Sequence, residues 1–244
     1  MLVTDPTFFT EVTHTYIRNW VKIPSVTTIL GTLSKDWLLP WAVKTALETL
    51  QIGKVITQQT IDTALVAHKV ITQEAGEEGT LVHQAINDYV HGKEVNCESL
   101  GYKAFLSFVH DHKPKILMSE QMVYNEEMEY AGTFDVIMEV NGKRYIGDWK
   151  TSKSIYGEYL MQLAGYVLCL PDMIHIDGFA VVHLDKFTGK YEIVLVDNKE
   201  FIDSIKEWFK SCVQLFKLRK ELNSLVNIVP ASREKRFGAI TLKN

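Results

Sequence analysis

Cysteine is scarce in this chain: Cys97, Cys169 and Cys212 are the only three, and no two of them form a Cys-x-x-Cys pair. An odd, scattered set argues for a reducing compartment and against a zinc or iron–sulfur site. Long apolar runs are missing too. None approaches the length that spans a bilayer, and residues 1–20 show no secretory signal, so no membrane contact is expected. The 6 prolines and 14 glycines are thinly spread. No Pro/Gly-rich linker, internal repeat or low-complexity tract divides the chain. A large charge excess is also lacking, since −4 over 244 residues gives no global attraction to nucleic acid. With 46% hydrophobic and 23% charged residues, the composition is that of an ordinary globular protein rather than a disordered one.

What is present is concentrated between Gly132 and Lys150. Two runs rich in β-branched and apolar residues flank Asn141-Gly142, the strongest short-range hairpin signal. If those two residues make the turn, Glu139 faces Arg144, an opposite-charge pair that supports the register. Counting outward, Asp135 then falls opposite Asp148. Two like charges facing each other destabilise a sheet, so the pair calls for a cation. Lys150 lies on the same strand face as Asp148. Two carboxylates and an ammonium directed at one point suit metal-dependent hydrolysis.

Around this hairpin the pattern is mixed. Residues 1–24 have no clear period, with a short strand over Tyr16–Ile23. Ser25 reads as the N-cap of a helix, and a helical segment runs from Trp37 to about Leu50. Separate helices are expected over Gln58–Thr72, Gly79–Val90 and Leu100–His110. From Lys115 the pattern changes. Strands are expected at Ile116–Tyr124, Tyr130–Val140 and Lys143–Trp149, a helix at Tyr156–Leu170, strands at Ile174–Leu184 and Tyr191–Val196, and a closing helix at Asn198–Leu222. This predicts a single α/β domain: a mainly helical part over 1–112, a core over 115–222 and a basic tail over 223–244. From Phe201 to Asn244 there are nine Lys/Arg against four Asp/Glu. That balance suits a polyanionic substrate, and equally suits a solvated amphipathic helix with a loose tail.

The order helix, three antiparallel strands, helix, further strands resembles the PD-(D/E)XK nuclease core, a restriction-endonuclease-like fold, in its RecB-like exonuclease branch. Gly132-Thr-Phe-Asp135 resembles that family's Gly-x-x-Asp element, Asp148-Trp-Lys150 its Asp-x-Lys element and Gln162-Leu-Ala-Gly-Tyr166 its Gln-x-x-x-Tyr element. Gly79-Thr-Leu-Val-His83 resembles the helix that supplies a histidine ligand. Pro24-Ser-Val-Thr27 is similar to the N-terminal region of mitochondrial genome maintenance exonucleases and related phage exonucleases. There are two departures. Glu120 fits the family's first-strand glutamate only loosely, and three dispersed cysteines place the chain in the branch without an iron–sulfur cluster.

The resemblance implies a metal-dependent DNA exonuclease acting on single strands or free ends, in replication, repair or recombination. Mg²⁺ or Mn²⁺ would be held by Asp135, Asp148, His83 and the Trp149 backbone carbonyl, with Glu120 as a further candidate. Lys150 could orient or deprotonate the attacking water, or neutralise charge on the phosphorane. Gln162 and Tyr166, one helical turn apart, could contact substrate, brace Lys150 or simply pack. Thr151, Ser152 and Lys153 read as phosphate contacts or plain turn residues. Trp37, Trp41 and Tyr16 read as base-stacking platforms or as core, with Arg18, Lys35 and Lys44 as phosphate contacts in the first case. Glu77 and Glu78 read as favourable charges at a helix N-terminus, and His110-Asp-His112 as loop. DNA is the expected partner, with a recombination or replication protein as a second. The expected setting is the cytoplasm of a bacterial or phage-infected cell, or an organellar matrix for a processed eukaryotic form. Two alternatives stay open: an endonuclease or flap processor of the same fold, and a non-catalytic nucleic-acid-binding module.

Overall fold

A computed structural model describes residues 7–10, 15–33, 35, 38–50 and 56–226. Its centre is a five-stranded sheet in the order β4 (Lys115–Asn125), β5 (Tyr130–Val140), β6 (Lys143–Lys150), β7 (Gly178–Leu184) and β8 (Tyr191–Val196). All neighbours are antiparallel except β6 and β7. A parallel pair cannot be closed by a tight turn. Here the crossover carries α5 (Gly157–Val167). This is the α/β element order expected from sequence.

Alternation along β5 and β6 divides the interior into two layers. Ile137 and Ile146 face α1 (Val26–Leu30), α5 and α6 (Lys199–Val226), meeting Val26, Leu163 and Phe209. Val136, Met138 and Trp149 face α3 (Gln58–Val90) and α4 (Leu100–His112), meeting Val82, Ile86, Phe105 and Phe108. Burying aliphatic and aromatic side chains on both faces is the main stabilising term. It also makes β5 and β6 a rigid mount for what they carry at their ends.

Several elements differ from expectation. The two helices expected over Gln58–Thr72 and Gly79–Val90 are one 33-residue helix, α3. A mid-helix glycine costs only about 1 kcal/mol relative to alanine, so Gly76 and Gly79 do not break a helix that lacks proline and an internal cap. Glu77 and Glu78 therefore lie inside a helix rather than at its N-terminus, and Glu78 pairs with Lys186 at 2.8 Å. The single strand expected at Tyr16–Ile23 is two, β2 (Thr15–Arg18) and β3 (Val21–Ile23), which join β1 (Thr7–Thr10) in a second, three-stranded sheet. The turn between them places Asn19 and Trp20 at φ 48° and 65°, which suits the right-handed twist of a tight hairpin.

α1 begins where expected, with the Ser25 hydroxyl accepting the Thr28 N–H at 2.9 Å. α2 (Leu38–Leu50) follows. The strand expected from Ile174 begins at Gly178, and the helix expected to reach Leu170 ends at Val167. His110-Asp-His112, expected as loop, belongs to α4, which closes at Lys113 with φ 46°. The contacts of its last turn account for this: Asp111 accepts a hydrogen bond from the Tyr191 hydroxyl at 2.8 Å, and the His112 ring lies 5.6 Å from that of Tyr191.

Candidate active site

The turn at Asn141 and Gly142 uses φ 52° and 77°, values that Asn and Gly adopt at low cost. It sets the pairing Val140–Lys143 and Glu139–Arg144, continuing to Val136–Gly147. One step further, regular pairing gives way to a side-chain bond, with the Trp149 N–H donating to Asp135 Oδ2 at 2.8 Å. Asp135 and Asp148 thus sit at the end of the β5–β6 ladder, 9% and 1% exposed. Each acid has its own organic cation. Lys150 Nζ lies 2.5 Å from Asp148 Oδ2, and His83 Nδ1 lies 3.6 Å from Asp135 Oδ2. The Asp148–Lys150 contact is a close, buried ion pair.

Burial raises the Asp148 carboxyl and the charge of Asp135 adds to the rise, against the opposing pull of Lys150. Burial works to lower the Lys150 ammonium, but the two aspartates outweigh it and the group is raised. Lys150 is therefore a cation in this arrangement. Burial likewise lowers His83, yet Asp135, Glu120 and Asp148 together lift its imidazole to about 9.

His83 comes from α3. Its Nε2 lies 2.9 Å from the Trp149 carbonyl oxygen, and its Nδ1 is turned toward Asp135 and Glu120, the latter at 3.8 Å. In the protonated imidazolium, Nε2–H donates to that carbonyl. Glu120 comes from β4, where it lies opposite Asp135 in the register but outside the ladder, at φ 50°. A glutamate in the left-handed region is uncommon and strained. Here the strain turns an edge-strand side chain into the site. Ligand atoms of His83, Glu120 and Asp135 fall within 4.8 Å of one another.

The two carboxylates and one imidazole of this group fit a hard divalent ion such as Mg²⁺ or Mn²⁺. Asp148, buried beside them with its Oδ2 paired to Lys150, is a third carboxylate next to this group. In chelated protein, His83 should titrate near 9, and adding Mg²⁺ or Mn²⁺ should lower that value; histidine-resolved NMR titration reports both. Because the folded value is raised, His83 contributes stability that is fully present below about 6.5, the unfolded value, and is lost as pH rises through about 9.

Lys150 is held from α5. Gln162 Oε1 accepts from its Nζ at 3.2 Å, and Gln162 Nε2 donates to the Tyr166 hydroxyl at 2.7 Å. Tyr159, on the same helical stripe, places its ring centroid 4.7 Å from Nζ. Tyr159 was missed from sequence, although its spacing of three and seven residues from Gln162 and Tyr166 was a usable signal. Gly132 has a packing reason: a Cβ there would lie 2.4 Å from Tyr166 Cε1. Gly132→Ala should displace the ring and destabilise the fold by about 1–3 kcal/mol, measurable by denaturant unfolding.

Beyond Lys150, Thr151 is wedged against two helices. A Cβ on Gly79 would come 3.1 Å from its Oγ1, and one on Gly101 would come 3.6 Å from its Cγ2. The Ser152 hydroxyl donates to the Ser154 carbonyl at 2.8 Å, and the Ser152 carbonyl oxygen accepts from His183 Nε2. His183, buried and register partner of Lys150 on β7, is a second residue that sequence reasoning missed. Nothing in its local spacing marks it; only strand pairing brings it there. Lys153 is exposed.

Of the remaining expected contacts, Tyr16 lies beside this cluster, in a hollow it shares with Gly132 and Tyr166. The Arg18 guanidinium sits 4.0 Å over the Tyr124 ring and 3.4 Å from Glu126. Trp41 meets His68 of α3 edge-on at 6.4 Å. Tyr16 is buried and bonds Thr133 Oγ1 at 2.8 Å. Lys44 pairs with Glu48, Lys35 is exposed, and Trp37 lies outside the described residues.

No protein-family model and no curated protein matches the chain. Among solved structures, the alkaline exonuclease LHK-Exo of Laribacter hongkongensis aligns at 10% identity over 61% of this chain and 86% of that one, with a TM-score of 0.33. LHK-Exo in complex with dAMP aligns at 10% identity over 75% and 90%, with a TM-score of 0.37. The structure of SSO0001 aligns at 13% identity over 74% and 85%, with a TM-score of 0.35. Superpositions this loose carry no functional weight. Among the described residues, no helix is long and apolar enough to cross a membrane.

Proposed function

We propose that the protein is a Mg²⁺- or Mn²⁺-dependent DNA exonuclease that hydrolyses phosphodiester bonds, acting on single strands or free ends. The observation that carries this is the cluster itself: His83, Glu120 and Asp135 within 4.8 Å, beside a buried Asp148 paired with Lys150. A surface salt-bridge cluster would not bury its acids, nor strain a glutamate backbone to add a third carboxylate.

His83, Glu120, Asp135 and Asp148 would hold the ion. Bound there, it supplies polarisation of a phosphoryl oxygen and acidification of water. Lys150, beside the aspartates at the ion's site, is suited to neutralising charge that builds on the phosphate and to orienting or deprotonating the nucleophile. Gln162 fixes the ammonium, and Tyr166 fixes Gln162. Thr151 and Lys153 follow directly on the strand and would meet the phosphates beside the scissile one.

A time course on end-labelled single- and double-stranded DNA, with Mg²⁺, Mn²⁺ and EDTA lanes, tests this. Shortening from an end in the metal lanes alone is expected. A circular single strand should survive while its linear form is degraded; cutting of the circle would establish an endonuclease instead. No cleavage of any DNA or RNA with either metal would refute a nuclease.

A further inference from the structure

We propose that a groove leaving the candidate active site along α1 and the C-terminal half of α6 is the track for a single nucleic-acid strand, a role that rests on the nuclease activity proposed above. The groove consists of adjoining hollows. The first begins at Tyr166, whose hydroxyl accepts from Gln162, and extends past Gly132 to Tyr16 and Ser25. The second shares Tyr16 and Ser25 and is bounded by Lys22, Phe216 and Lys220. The third continues from Phe216 to Arg219 and Lys220.

Charge along this path is unlike that on the rest of α6. Upstream, Lys206, Lys210 and Lys217 are each taken up by a carboxylate: Asp203 at 3.4 Å, Glu207 at 2.7 Å and Glu129 at 3.4 Å. Lys22, Arg219 and Lys220 are exposed, and among the described residues none of the three is ion-paired. Against them stands Glu221, on the neighbouring hollow that Lys220 also lines. The path thus runs from Tyr166, at the edge of the candidate active site, to three uncompensated cations around a half-buried aromatic. A backbone-tracking groove for an unpaired strand has this composition. The chain's own basic tail carries the same sign as these cations and is not a complementary occupant.

The test is fluorescence anisotropy of the full chain in EDTA with a labelled strand of about 20 nucleotides, longer than the ~4–16-nucleotide footprints of single-strand binders, across a salt series. Loss of three phosphate contacts should flatten the slope of log K against log salt by about 2 in the Lys22→Ala/Arg219→Ala/Lys220→Ala variant, and weaken binding roughly tenfold or more. The charge-preserving Lys22→Arg/Lys220→Arg variant should keep the wild-type slope, which separates lost charge from misfolding. If wild type and triple variant bind with equal slope while wild type cleaves DNA, the groove is not the track and the nuclease stands. If wild type neither binds nor cleaves any nucleic acid, both proposals fail. Loss of polyglutamate binding with unchanged DNA binding would make the groove a dock for an acidic protein and overturn the assignment.

Discussion

Asp148→Asn should reduce DNA cleavage by about 10³-fold or more. Asp148 is 1% exposed, and its carboxyl is raised by burial and by Asp135 despite the Lys150 contact. A raised acid costs stability as pH climbs from its unfolded value through its folded one, because the charged form is then the disfavoured one in the fold. Asparagine keeps the shape and removes that cost, but leaves Lys150 with Asp135 as its remaining counter-charge. The variant should therefore lack the wild type's loss of stability as pH rises through the Asp148 titration. Lys150 behaves oppositely. Its raised pKa means that the folded protein favours the ammonium. Lys150→Met should therefore abolish cleavage and also destabilise, by about 3–5 kcal/mol, because Asp148 is left as an uncompensated buried charge. The double variant Asp148→Asn/Lys150→Met should recover most of that loss while staying inactive. Cleavage at the wild-type rate by Asp148→Asn would remove this site from the chemistry.

Removal of the divalent ion should have an effect of comparable size. Cleavage should vanish in EDTA and return with excess Mg²⁺ or Mn²⁺. The ion should also stabilise the fold, because it relieves repulsion among Glu120, Asp135 and Asp148. At about 100 times its dissociation constant, a ligand that binds only the folded state adds about 2.7 kcal/mol, or about 5–10 °C in melting temperature for a chain of this size. Asp135→Asn should lose most of that shift, although asparagine can still accept the Trp149 N–H. Calorimetric scans with and without metal measure it, and an unchanged shift in Asp135→Asn would show that the ion binds elsewhere.

The hairpin was legible because its determinants are local. Asn141-Gly142 selects the turn, and the turn selects the register, so Glu139 opposite Arg144 could be read by counting. The order of strands and helices through the core followed from changes in hydrophobic period. Two expectations failed for an equally local reason. The helices expected over Gln58–Thr72 and Gly79–Val90 have nothing between them that ends a helix, and a tight turn at Asn19-Trp20 interrupts the strand expected over Tyr16–Ile23.

What sequence determined by itself, then, is the pair of acids at the end of one hairpin, the lysine beside them and the helix that backs them. Each follows from residues close together in the chain. Tertiary structure decided the rest. His83 reaches Asp135 through the docking of α3, Glu120 is turned inward by one strained residue of β4, and His183 meets Ser152 because β7 pairs with β6. Those contacts join segments dozens of residues apart. No spacing rule encodes them, because they are set by how two layers of helices pack against one twisted sheet.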